Sequence, residues 1–164
     1  MLFSTPRPIF GAMSISIRPA TPNDAECITE FNALMAKETE NIDLDMVRLR
    51  AGVESVLRDP AKGVYYLATE HGAVVGQTLI TYEWSDWRNG TFWWIQSVYV
   101  QKEARGKGVF KTLYDYIQRL AKQHGNVCGL RLYVEEHNER AQQTYERLGM
   151  KKTYYNMFEI DFVL

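Results

Sequence analysis

The sequence predicts an α/β (α+β) fold: a single domain with a mixed, mostly antiparallel twisted sheet flanked by about four helices. Apolar residues recur with period two or in β-branched runs in some segments, and at helical spacing in others. The resulting order is β-α-α-β-β-β-α-β-α-β. The link Glu70-His71-Gly72 is too short for a crossover, so the strands beside it pair as a hairpin. The 164 residues are 46% hydrophobic and 24% charged, without repeat or linker, which suits one globular domain.

Residues 1–12 hold Pro6, Pro8 and Gly11 and read as a loosely ordered extension, with the domain expected over 13–164. Ile15 to Arg18 is the first strand. Thr21 is placed to cap a helix, with Pro22 at its first position and Asp24 as the acidic partner three residues on. Ile28, Phe31, Leu34 and Met35 supply that helix with an apolar face. A second helix is expected from Leu44 to Leu57; Asp59-Pro60 ends it, because the residue before proline avoids the helical region. Val64 to Thr69 and Val74 to Trp84 are the hairpin strands, and the aromatic run Thr91 to Val100 is a long central strand. Val109, Leu113, Tyr116, Ile117 and Leu120 mark an amphipathic helix closing near Gly125. Val127 to Val134 is a further strand. Asn138 caps a helix with Ala141, Tyr145 and Leu148 on one face, and Gly149 stops it. Phe158, Ile160 and Phe162 alternate with Glu159 and Asp161 and predict a C-terminal strand.

Composition excludes several classes. Lys and Arg number 19 against 20 Asp and Glu, a net charge of −1, which disfavours a strong nucleic-acid binder. Two cysteines, Cys27 and Cys128, make no disulfide scaffold and read as small buried hydrophobes in a reducing compartment. His71, His124 and His137 lack metal-ligand spacing with them, so no metal is expected. No apolar run reaches the roughly 18 residues of a membrane span, and the start lacks the apolar core of a signal peptide. A cytoplasmic protein without membrane or nucleic-acid partners is expected.

Chemistry concentrates in Ser97-Val98-Tyr99-Val100, followed by Arg105-Gly106-Lys107-Gly108-Val109-Phe110 and a helix. A strand feeding a glycine turn that feeds a helix N-terminus suits an anion, because the first helical N–H groups lack partners and the helix dipole favours negative charge. Arg105, Lys107 and Lys111 add positive charge. The turn is no Walker loop, since Lys107 precedes Gly108, and no dinucleotide fingerprint, since Lys111 stands at the third glycine position. A plain solvated turn is the alternative reading. The second block runs from Asn138 to Met150 and sets Asn138 and Tyr145 nearly two helical turns apart, on one face. Taken alone, a tyrosine such as Tyr145 is more often a core aromatic.

Together the two blocks resemble the GNAT superfamily of acyl-CoA-dependent N-acetyltransferases. Arg105 and Gly108 match the family's phosphate-turn pattern, Arg or Gln, two residues, Gly, one residue, Gly or Ala; Phe110 departs from its last position. Asn138, Ala141, Tyr145 and Leu148-Gly149-Met150 match the later block. Ile17-Arg18-Pro19-Ala20 leading to Asp24-Ala25 is similar to the family's opening.

The resemblance implies acetyl-CoA as cosubstrate. Backbone groups of Val98, Tyr99 and Val100 would meet the pantetheine arm, and the amides of Arg105, Gly106, Lys107, Gly108, Val109 and Phe110 the pyrophosphate. Asn138 would contact the cofactor arm. Tyr145 would bind near the sulfur and act as general acid, and an N–H near Val98 would polarise the thioester carbonyl. Gln96 stands where many members carry a glutamate base, and an amide accepts no proton at neutral pH. Glu83 is put forward as catalytic in its place, with Asp86, Glu135, Glu38, Glu40 and water relays as alternatives. The acceptor pocket is expected from Glu38, Glu40, Trp84, Asp86, Trp87 and Gln96, an acidic and aromatic set suited to a cationic small-molecule amine. A protein amine, or an idle acyl-CoA-binding regulator, is the alternative. Arg88 points instead to a substrate carrying a carboxylate or phosphate. A homodimer is common in the family.

Overall fold

A computed structural model describes residues 15–163; the expected extension at 1–12 lies outside the described residues. Two compact units emerge, one ending at Leu132 and one beginning at Tyr133.

The first unit contains β1 (Ser16–Pro19), α1 (Ala25–Glu40), α2 (Met46–Arg58), β2 (Val64–Glu70), β3 (Ala73–Ser85), β4 (Gly90–Val100), α3 (Val109–Gln123) and β5 (Val127–Leu132). The second contains α4 (Glu139–Arg147). The five strands form one sheet in the order β1-β2-β3-β4-β5. The first three pairings are antiparallel, as short links allow. β4 and β5 run parallel, because α3 carries the chain back between them. Five mixed strands and four helices match the expected fold class.

Local signals set the helix starts. Asp24 accepts hydrogen bonds from the Thr21 N–H at 2.7 Å and the Thr21 hydroxyl at 2.9 Å. It also takes a two-pronged bond from Arg18, at 2.7 and 2.9 Å. The Arg18 guanidinium is the main reason the Asp24 carboxyl is held down at about 2. α2 begins at Met46 rather than Leu44, because the Asp45 carboxylate accepts from the N–H groups of Val47 and Arg48 and so caps the helix.

Alternation along β2 divides the core. Tyr65 and Leu67 pack with Leu79 against Ile28 of α1 and Val53 of α2. Tyr66 and Ala68 point the other way and pack with Val75 against Val109 and Leu113 of α3. The sheet therefore separates α1 and α2 from α3.

In the second unit the Asn138 side chain accepts from the Ala141 N–H at 3.1 Å, the predicted cap, and Gly149 ends the turn with φ 88°. The predicted C-terminal strand is not formed: among the described residues no strand follows β5. Phe158, Ile160 and Phe162 are 93%, 78% and 90% exposed. Alternation supplies an apolar face, but a strand also needs a neighbour for its N–H and C=O groups, and ladder pairing ends at β5.

Candidate active site

The site begins where β4 breaks its ladders. Gln77 pairs with Tyr99 and Leu79 with Gln96, so Ser97 and Val98 together stand opposite Thr78 alone. This is a β-bulge, and Ser97 takes φ 48°, in the left-handed region. That conformation costs a non-glycine residue about 1–2 kcal/mol. On the other side, pairing with β5 stops at Ile95 and Leu132. Among the described residues no strand pairs with Gln96 to Val100 on that side, so the ladder groups of this edge have no strand partner. Tyr99 is buried, with its ring 4.9 Å from Phe31 of α1.

β4 leads through the short turn Lys102–Ala104 into the glycine segment. Gly106 and Gly108 have φ 79° and 82°, and α3 starts immediately afterwards at Val109. A Cβ on either glycine would meet nothing within 4 Å, so backbone conformation and not crowding by protein atoms calls for glycine. The left-handed residues and the first turn of α3 turn successive N–H groups outward, the geometry of an anion nest. Phe110, at the position of departure, is half-buried and leans towards Tyr114 one turn along, with ring centroids 6.3 Å apart.

The cations flanking this turn are occupied. Arg105 donates to Glu38 at 2.7 Å and to the Val100 carbonyl at 2.8 Å. Lys102 pairs with the other oxygen of Glu38 at 3.4 Å. Lys107 lies 3.8 Å from Glu70, and Lys111 2.5 Å from Asp115. Glu38, expected to bind the acceptor, thus ties the end of α1 to the glycine turn. Its hydrogen bond from Arg105 holds its carboxyl below the usual range. The Tyr99 hydroxyl is pushed up by burial and by the neighbouring Glu38.

On the α1 and α2 face of β3, β4 and β5, Glu83 accepts from Trp94 Nε1 at 2.5 Å and from Arg131 at 2.8 and 2.9 Å. The Arg131 guanidinium also stacks 3.6 Å above the Phe92 ring. Gln96 donates to the Thr81 hydroxyl at 2.5 Å. The Arg88 guanidinium lies 5.0 Å from the centroid of the same Phe92 ring. Trp84 and Trp87 are 60% and 86% exposed at the β3–β4 turn, where the Asp86 carboxylate accepts from the Trp87 N–H. Glu40 is exposed at the end of α1. The expected acceptor set therefore separates into the held group of Glu83 and Gln96, Glu38 clamped by Arg105, and an exposed turn.

In the second unit Tyr145 is half-buried on α4, and burial pushes its hydroxyl above an ordinary tyrosine. A phenol so shifted keeps its proton at neutral pH and is a donor. Asn138 has a capping duty, which leaves its N–H2 donors for other partners.

Sequence reasoning missed the residues that support the bulge. Gln77 is fully buried and Asn32 and Tyr65 nearly so. Gln77 donates to Asn32 at 2.8 Å and to the Ser97 carbonyl at 3.3 Å. The signal was present: Gln77 interrupts the apolar run from Val74 to Ile80.

These features agree with comparisons to known proteins. The model of the acetyltransferase (GNAT) family matches residues 28–150. A possible acetyltransferase from Clostridium difficile 630 is 49% identical, with TM-score 0.85, covering 92% of this chain and 99% of its own. A ribosomal-protein-alanine N-acetyltransferase from Brucella melitensis biovar Abortus 2308 shares the fold at TM-score 0.74 and 20% identity, with 92% and 100% covered. A curated relative, mycothiol acetyltransferase of Corynebacterium aurimucosum, is 28% identical over 77% of this chain; the match spans 42% of that relative's length. With the family model matching most of the chain, and the β4 bulge, glycine turn and α4 block in place, the protein belongs to the GNAT acetyltransferase family.

Proposed function

We propose that the protein is an N-acetyltransferase moving an acetyl group from acetyl-CoA to the primary amine of a small molecule by direct attack. One observation carries the reading. β4 opens at Ser97 and loses its β5 partner just before two left-handed glycines start α3. That arrangement offers an extended arm a free strand edge and its phosphates a helix N-terminus.

Acetyl-CoA supplies an activated thioester. The edge from Val98 to Val100 fixes the arm, and the amides from Arg105 to Phe110 hold the pyrophosphate. The Val98 N–H faces the acyl carbonyl and favours negative charge on its oxygen. Tyr145 donates its proton to the departing sulfur, and Asn138 steadies the arm. The phenol is a weaker acid than an ordinary thiol, so a hydrogen bond that strengthens as charge develops fits better than complete early transfer. A lysine-like amine must lose a proton before attack, at roughly 4.6 kcal/mol at pH 7 if unassisted. Glu83, steadied by three hydrogen bonds from Trp94 and Arg131, keeps about one acceptor site for an ammonium group and receives or relays that proton.

The test is thermal unfolding with and without acetyl-CoA, followed by thiol release over an amine panel. Stabilisation by acetyl-CoA and amine-dependent release are expected. Absence of stabilisation at saturating concentrations would overturn the donor site; stabilisation without release would replace the enzyme by an acyl-CoA-binding module.

A further inference from the structure

Ser97 is a serine in a glycine-like conformation at the point where chemistry is expected, so something must hold it there. Three residues from three other elements gather around it. Gln77 of β3 donates one N–H to the Ser97 carbonyl at 3.3 Å and its amide nitrogen also meets Asn32 Oδ1 of α1 at 2.8 Å. The Asn32 amide donates to the Tyr65 hydroxyl of β2 at 3.1 Å. Burial pushes the Tyr65 hydroxyl up, and the nearby Ser97 side chain draws it partly back. The ring thus grips the backbone carbonyl of Ser97 and sets a hydroxyl near its side chain. Thr78 adds a bond to the adjoining Gln96 carbonyl at 3.1 Å.

The ring lies in the dry interior. Gln77 is 0% exposed, Tyr65 4% and Asn32 5%. Buried polar groups are costly unless bonded, and the remaining Gln77 oxygen has no hydrogen-bond partner. Apolar side chains would fill these positions with less risk, so stability alone gives no reason for three amide and phenol groups here.

We propose that Asn32, Tyr65 and Gln77 are positioning residues that lock the Ser97 bulge and thereby aim the Val98 N–H at the acyl carbonyl. The inference rests on the acyl-transfer reading above. Its physical content is that rotating the Ser97–Val98 peptide redirects a donor whose value depends on direction, while the phosphate turn, nine residues on, is left alone.

Tyr65→Phe keeps the ring's shape and removes only the hydroxyl that accepts from Asn32 beside Ser97. Gln77→Met is the second variant, should the first fold poorly. Expected for both is a kcat lower by about tenfold or more, with the acetyl-CoA dissociation constant kept within about twofold. The readout independent of turnover is NMR of the free protein: the Ser97 backbone coupling should leave the value of a left-handed residue, and the Val98 amide resonance should shift. Restoring Tyr65 in the Phe variant must return both. Unchanged kcat with a lowered melting temperature would reduce the ring to core packing and overturn the proposal. So would a Ser97 coupling unaltered in both variants. A wild type that neither binds acetyl-CoA nor releases thiol would instead overturn the acyl-transfer reading, while the coupling would still decide whether the ring holds the bulge.

Discussion

Replacing Gly108 by alanine separates two ways in which the phosphate turn can respond to strain. Gly108 has φ 82°, and an added Cβ would touch nothing within 4 Å. Steric overlap is therefore absent, and the cost is conformational, about 1–2 kcal/mol for an L-residue in the left-handed region. Alanine also stiffens the unfolded chain, which offsets about 0.4–1 kcal/mol of this. The net cost, about 1 kcal/mol, must appear along the path from unfolded chain to cofactor-bound protein. If the turn keeps its shape, folding stability falls by that amount and acetyl-CoA affinity is unchanged. If the turn relaxes, stability is retained and affinity falls about fivefold, the same energy expressed in binding. Denaturant unfolding and titration calorimetry measure the two losses, and their sum should be near 1 kcal/mol. A sum near zero would refute the assignment of Gly108 as a strained anion-binding position. The control is Gly52, inside α2, whose φ is ordinary and whose Cβ would also meet open space. There alanine should stabilise by about 0.5–1 kcal/mol, opposite in sign.

Three further outcomes are expected. Tyr145→Phe should lower kcat by about a hundredfold while the acetyl-CoA dissociation constant changes little, since only a donor used in the transition state is removed; stopped-assay thiol release and calorimetry check the pair. Asp24, held at about 2 by Arg18, carries a folded-state value depressed below that of the unfolded chain, so its contribution is present above the ordinary aspartate range and is lost as pH falls through about 4 towards 2. The shift is worth about 2 kcal/mol at neutral pH, and Asp24→Asn should flatten the acid limb of the stability curve by that much in urea titrations at stepped pH. Glu83→Gln should lower amine turnover most at low pH and leave acetyl-CoA binding unchanged, read from a kcat/KM profile; an unaltered profile would remove Glu83 from the acceptor's proton path.

The legible parts of the molecule were those whose causes are close in sequence. The Thr21 and Asp24 box and the Asn138 cap each depend on partners three residues away, and both formed as predicted. The glycine turn was equally readable, because Gly106 and Gly108 announce their own backbone preference. The Ser97 bulge was not: serine has no left-handed preference, and the groups holding it come from α1, β2 and β3, with Asn32 and Gln77 45 residues apart. The clamp of Glu38 by Arg105 spans 67 residues, so a carboxylate that looked available to an acceptor is bound to the phosphate turn. Glu83 likewise read as a lone acid, and only the register of β3, β4 and β5 brings Trp94 and Arg131 onto it. The C-terminal alternation failed for the reverse reason. Period two is a property of the chain alone, whereas a strand is a property of a pair.

The largely compensated charges around the glycine turn also bear on how a ligand would arrive. Lys102, Arg105, Lys107 and Lys111 face Glu38, Glu70 and Asp115 at close range. Seen from beyond the Debye length, about 8 Å in physiological saline, such a surface is nearly neutral and gives an incoming polyanion little guidance. In the proposed function its hold on phosphate would come from N–H groups that act only at contact. Capture by such a turn is slow to be advertised and slow to be disturbed: rises in ionic strength that would strip a polyanion from a bare lysine patch leave most of this grip in place.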